Sequence, residues 1–211
     1  MTNLKKEFRG LIGNEQTKSS FSTPEKIAEY IAYYGHDNQV RENGSAYTNH
    51  PKRMQEKYKK LIGMNFPGFD LRKVIRNQIP YFGVIEVCWL HDVWEDTKVG
   101  WEIKQPFEDV GYGEYFKTYI EEPLKLITHD KEEGYEEYIE KVLSNPTSAL
   151  VKLLDLNDNL DIFDLASFDE NKAKRMNDYV HWINVIENKY HFLEKFKTYR
   201  DSAKALLPLR P

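Results

Sequence analysis

With 211 residues, 30 basic and 34 acidic side chains and a formal charge of −4, the chain has the size of one domain, or of one domain plus an extension, since single cores commonly close at about 100 to 200 residues. Its hydrophobic fraction of 40% and aromatic fraction of 14% suffice for a core, while 30% charged residues exclude a chain buried in lipid. The near balance of charge excludes a globally basic surface for nucleic-acid polymers or anionic membranes, so an anionic ligand must meet a local basic pocket.

The opening MTNLKKEFRG is basic but no apolar stretch follows it, and no window approaches the roughly 18 to 20 apolar residues of a membrane span. The single cysteine, Cys88, lies in the apolar run 84–90 and has no partner for an intramolecular disulfide, which suits a reducing compartment. A soluble, cytoplasmic chain is therefore expected. Leu4, Phe8, Leu11 and Ile12 recur at helical spacing before the polar stretch NEQTKSS. Residues 1–20 accordingly read as an N-terminal extension, a short helix with a linker, and residues 21–211 as the main domain.

Thr23 ahead of Pro24 and Glu25 marks a helix start, because the hydroxyl caps free amides and proline is tolerated in the first turn. Ile27, Tyr30, Ile31 and Tyr34 then share one apolar face. Residues 35–50, GHDNQVRENGSAYTNH, lose the period and carry Asn-Gly turn chemistry, which predicts a loop. Helix resumes after Pro51 with Met54, Tyr58, Leu61 and Ile62 as its buried stripe; NFPGFD ends it, and a further helix is predicted over residues 71–78 before Pro80. The run 84–90 could pass for a buried strand, but its continuation HDVWED has poor strand character, so a central buried helix is predicted. Further helices are predicted over 132–143, 148–165 and a long charged amphipathic run, 170–206. With no alternating strand pattern and no internal repeat, the chain reads as an all-α, single-domain helical bundle.

The sharpest chemical feature is His91-Asp92-Val93-Trp94-Glu95-Asp96-Thr97 at the end of the buried helix. Residues three and four apart share a helical face, so Glu95 and Asp96 lie one turn beyond His91 and Asp92. Three acids at the end of an apolar helix call for a counter-charge, and a divalent cation is the simplest one. An isolated His-Asp pair is also common by chance on a solvated last turn. His50, where a loop becomes a helix, and Asp155, in LVKLLDLNDNLDIFDL, are further candidate ligands. Lys152, Asp155 and Asn159 fall on one helical stripe as a cation, a carboxylate and an amide, whereas Asp158, Asp161 and Asp164 fit a solvated face better.

This set of motifs resembles the HD hydrolase domain of the RelA/SpoT family, which includes stand-alone small alarmone hydrolases and metazoan SpoT homologues. His36, Gln39 and Arg41 match the family's H-x-x-Q-x-R lead-in, and Tyr47 and His50 its Y-x-x-H-P motif. HDVWEDT matches H-D-x-x-E-D-T, VKLLDLNDNL stands where the family has V-K-L-A-D-x-x-x-N-L, and Arg175 and Tyr179 match an R-x-x-x-Y element; the resemblance runs over residues 27–182. Departures are Asn38 for a glycine, Trp94 for a small residue, Leu154 for alanine and Asp161 for a common basic residue.

The resemblance implies an all-α fold of the HD phosphohydrolase type and removal of the 3′-pyrophosphate from (p)ppGpp, a reaction of the stringent response, by a stand-alone hydrolase. It implies one divalent metal, usually manganese, on His50, His91, Asp92 and Asp155, with Glu95 and Asp96 positioning and activating the attacking water. Arg41, Lys152, Asn159, Arg175 and Tyr179 would contact the nucleotide, a small-molecule partner, with no nucleic-acid polymer or membrane involved. Two alternatives stand beside it. One is an HD phosphohydrolase of another nucleotide, such as an adenosine alarmone, a nucleoside monophosphate or NADPH. The other is a catalytically silent nucleotide-binding module, which has no chemical need of the acid pair.

Overall fold

The computed structural model describes residues 3–64, 69–162 and 165–204. The apolar periodicities resolve into α1 (Leu4–Ile12), α2 (Glu15–Lys18), α3 (Pro24–Gly35), α4 (Asn49–Leu61), α5 (Leu71–Arg76), α6 (Val84–Asp96), α7 (Lys104–Asp109), α8 (Gly113–Tyr119), α9 (Glu121–Ile127), α10 (Tyr135–Val142), α11 (Pro146–Asp158), α12 (Glu170–Tyr190) and α13 (Phe192–Lys204). Short 3-10 turns cover Ser19–Phe21 and Gly100–Ile103. No strand occurs among the described residues; a lone antiparallel bridge between Val40 and Ala46 pins the loop between α3 and α4. The fold is all-α.

α6 is the hub. Val84, Ile85, Val87, Cys88, Trp89, Leu90 and Val93 are all buried, and a helix apolar nearly all round must sit inside a protein. α3, α4, α9 and α11 pack around it. It starts at Gly83, whose φ of +81° is left-handed and where a Cβ would collide with the Tyr119 carbonyl. Only glycine lets the chain enter α6 against the end of α8.

The capping signal at Thr23 is realised as the sequence predicts, since its side chain accepts from the Lys26 amide; Asn145, ahead of Pro146, accepts from Thr147 and Ser148 and starts α11 two residues before the expected 148. Several expected boundaries differ. The polar stretch 14–20, read as a linker, forms α2 and a 3-10 turn, because Phe21 anchors it by packing at a tilt on Phe8 of α1 and edge-on against Tyr30 of α3. The bidentate pair of Arg9 with Asp109 on α7 holds α1 in place. α5 ends at Arg76 rather than continuing to residue 78, where Gln78 has a φ of +55°. Helix α10 starts at Tyr135, after an Asp130-capped turn, not at 132. Helix α11 stops at Asp158 rather than near 165, since Asn159 turns its amide onto the Asp155 side chain. The run over 170–206 is broken at His191, which is left-handed at φ 51° and lets α13 fold back to bury Phe192, Phe196 and Tyr199. Residues 65–68 of NFPGFD, Asp164 and Leu206 lie outside the described residues.

Candidate active site

Three elements that touch α6 or belong to it deliver the polar side chains: the first turn of α4 brings His50, the second half of α6 brings His91, Asp92 and Glu95, and α11 brings Lys152 and Asp155. His50, His91 and Asp155 are buried and offer ligand atoms that all lie within 4.8 Å of one another. His50 Nε2 is 3.3 Å from His91 Nε2 and 3.2 Å from Asp155 Oδ1. Asp92 Oδ2 approaches from one side, 3.1 Å from His91 Nε2 and 3.9 Å from His50 Nε2, and accepts the Tyr47 hydroxyl at 2.6 Å.

The other ring nitrogens decide what this cluster is. His91 Nδ1 faces the Cys88 carbonyl at 2.9 Å, which can only accept, so Nδ1 carries a proton. His50 Nδ1 faces Asp158 Oδ2 at 2.7 Å and donates likewise. With each Nδ1 so engaged, both rings turn Nε2 toward each other and toward a carboxylate, an arrangement that calls for positive charge between them. A cation satisfies it. Around the cluster the carboxylates of Asp92, Asp155 and Asp158 outnumber the fixed cations Lys152 and Arg53, so the site has room for positive charge. The donor set fits a divalent metal ion, with mixed imidazole and carboxylate ligands suiting a borderline or hard cation.

Electrostatics agree with this. Burial opposes charge on His50, yet hydrogen bonds to Asp155 and Asp158 pull its pKa up to about 9. The same contest ends with His91 raised, Asp92 beside it. Burial would raise Asp155, but the Lys152 ammonium and the two imidazoles hold it well below the usual carboxylate range.

Further polar residues hold the ligands. Lys152 Nζ lies 2.8 Å from Asp155 Oδ2 and above the Tyr138 ring, and Asn159 donates to Asp155 Oδ1 at 2.6 Å. Arg41 in turn donates to Asn159 at 3.0 Å. Arg41, Lys152 and Asn159, expected from the resemblance to meet a nucleotide, thus lie in one chain that ends on Asp155. A cavity of about 260 Å³ opens beside the cluster, lined by Glu95, Lys152, Asn159, Tyr179, His129, Tyr135 and Tyr138 among others. Arg175 is exposed one turn before Tyr179 on α12 and does not line the cavity.

The acid pair divides. Glu95 lines the cavity, accepts the His129 amide at 3.2 Å, and has its pKa raised by burial. Asp96, also raised by burial and by Asp92, faces the neighbouring groove with Gly35, Gln39 and Thr97.

Asp158 corrects the sequence expectation. It is no solvated-face residue, since it accepts both His50 Nδ1 and the Arg53 guanidinium. Its spacing of three from Asp155, mirrored by that of Arg53 from His50, was the available signal. His129, Tyr135 and Tyr138 were also missed, because the segment around them carried no motif. Asp161 is exposed.

No protein-family model and no curated protein matches the sequence. Among solved structures the chain is similar to a metazoan ortholog of SpoT, described as hydrolysing ppGpp and playing a role in starvation responses. The two share 16% identity with a TM-score of 0.55, over 89% of this chain and 97% of that one. The likeness at this identity is one of fold, and it extends over nearly the whole of both chains: this protein has the all-α fold of a SpoT-like hydrolase.

Proposed function

We propose that this protein is a metal-dependent phosphohydrolase that removes the 3′-pyrophosphate from guanosine alarmones of the (p)ppGpp kind, giving GDP or GTP plus pyrophosphate. The observation that carries the reading is the pair of imidazole Nε2 atoms converging with Asp155 beside a cavity that Glu95 also lines. One divalent ion, proposed as manganese, would be held by His50, His91, Asp92 and Asp155. Such an ion polarises a phosphoryl group and lowers the pKa of water.

The chain's own groups do the rest. The Glu95 carboxylate, fixed by the His129 amide, orients the attacking water and takes its proton as the oxygen bonds to phosphorus. The bond from phosphorus to the ribose 3′-oxygen breaks, and that oxygen takes a proton from solvent while Glu95 returns its own to solvent. Asp96 adds negative charge from the flank. Lys152 meets the transferred phosphates as a cation. A cavity of about 260 Å³ is small beside the ~300 to 1,000 Å³ of most ligand sites. It suits the diphosphate end, leaving the nucleoside over the rim against Arg41, Tyr179 and Arg175. No helix among the described residues is long and apolar enough to cross a membrane, and the free, buried thiol of Cys88 fits a reducing, cytoplasmic setting.

Phosphorus NMR of the manganese-loaded protein with ppGpp and a panel of other nucleotides tests the reading. Intact pyrophosphate and GDP are the expected products. Orthophosphate as the first product, or turnover of another nucleotide with ppGpp left intact, overturns it.

A further inference from the structure

We infer that Asp158 and Arg53 form a clamp that sets the metal affinity of the centre by holding His50, a positioning role that rests on the metal site proposed above. Asp158 Oδ2 accepts from His50 Nδ1 and from Arg53 Nη2, each at 2.7 Å, and its Oδ1 accepts from Arg53 Nε at 2.9 Å. The guanidinium fork therefore fixes both carboxylate oxygens, and one of them fixes the imidazole.

The placement follows from helix geometry. His50 and Arg53 are three residues apart on α4, as are Asp155 and Asp158 on α11, so each pair shares a helical face. Two rungs join the helices: His50 to Asp155 at the metal position, and Arg53 to Asp158 behind it. The second rung fixes the axial register in which the first one forms.

The clamp also fixes chemistry. With Nδ1–H engaged by Asp158, His50 can present only its Nε2 lone pair. A carboxylate partner raises the donor strength of an imidazole, and such partners typically tune metal affinity by about 10- to 100-fold. His91 has only the Cys88 carbonyl in that position, so the two imidazole ligands are unequal, with His50 the stronger donor. Arg53 offsets the added negative charge next to Asp155 and Asp92. Neither Arg53 nor Asp158 lines the cavity, so both act through His50 and not on a substrate.

The test is manganese affinity of the full chain, measured by chelator competition with Mn²⁺ alone. Asp158→Asn is expected to weaken binding by about 10- to 100-fold. Arg53→Gln is expected to weaken it less, and the double variant no more than Asp158→Asn alone, since both act along one line. In the zinc-loaded protein, the downfield Nδ1 proton of His50 should vanish in Asp158→Asn. A purely structural role would lower thermal stability and leave the affinity of the folded protein unchanged. Wild-type affinity in both single variants, or fully additive losses in the double, overturns the clamp. Should Asp158→Asn fail to fold, Arg53→Gln, at a side chain one-third exposed, decides alone. Because Mn²⁺ is the only probe, failure of ppGpp as substrate and failure of the clamp are read separately; a wild type that takes up no Mn²⁺ overturns both the centre and the clamp.

Discussion

Glu95 and Asp96 are neighbours in sequence and part company in space, because successive residues on a helix point about 100° apart. Glu95 faces the cavity and Asp96 the groove beside Gln39. The geometry therefore ranks two acids that the sequence treats as a pair. Glu95→Gln keeps shape and the His129 amide contact but cannot take a proton, so turnover should fall by about two or more orders of magnitude with manganese retained. Asp96→Asn should cost less. Steady-state kinetics with elemental analysis checks both, and near wild-type turnover of Glu95→Gln would remove it from the reaction. Arg41, proposed above to meet the nucleoside, also donates to Asn159, which in turn donates to Asp155.

Helix α6 carries the metal-side residues at one end and a buried acid, Glu86, at the other. Burial raises Glu86 from its ordinary 4.5 to about 7, with Glu25 adding to the shift and the Tyr115 hydroxyl 3.5 Å away opposing it. A carboxyl whose pKa is higher folded than unfolded holds its proton longer in the folded state, so stability declines as pH rises from 4.5 to about 7 and the penalty is complete above that. Glu86→Gln removes the penalty. It should stabilise the protein by up to about 3 kcal/mol at pH 8 and by little at pH 5. Urea unfolding of variant and wild type at both pH values reads this, and an equal increment at the two would mean that the carboxyl is not the cause.

What the sequence makes legible on such elements is local. The cap at Thr23 and the buried character of 84–90 depend on residues a few positions away, and the structure bears them out. The end of α11 and the break at His191 were not legible, because distant contacts decide them. Asn159 is held by Arg41, 118 residues away, and α13 turns back so that Tyr199 can donate to the Ile62 carbonyl. The same division holds in the site. The resemblance to the family motifs pointed to His50, His91 and Asp155, whereas the Arg53–Asp158 rung exists only once α4 and α11 are in register.

At the scale of the whole molecule, positions 50, 91 and 155 are far apart along the chain, and the cluster joins α4, α6 and α11. Those helices pack on one another around α6, so unfolding must scatter the ligands. An ion that binds the folded chain and not the unfolded one stabilises by about 2.7 kcal/mol at a hundredfold excess over Kd. For a chain of this length each kcal/mol moves Tm by about 2 to 4 °C, so manganese should raise Tm by about 5 to 11 °C and a chelator should reverse the gain. Three carboxylates close to the two imidazoles also mean that the ion competes with protons, so the gain should shrink as pH falls. His50→Ala should abolish the shift, because it removes the imidazole that α4 contributes to the cluster. Differential scanning calorimetry with and without Mn²⁺ decides the matter: a Tm shift of equal size in wild type and His50→Ala would mean that the ion stabilises the protein from somewhere else.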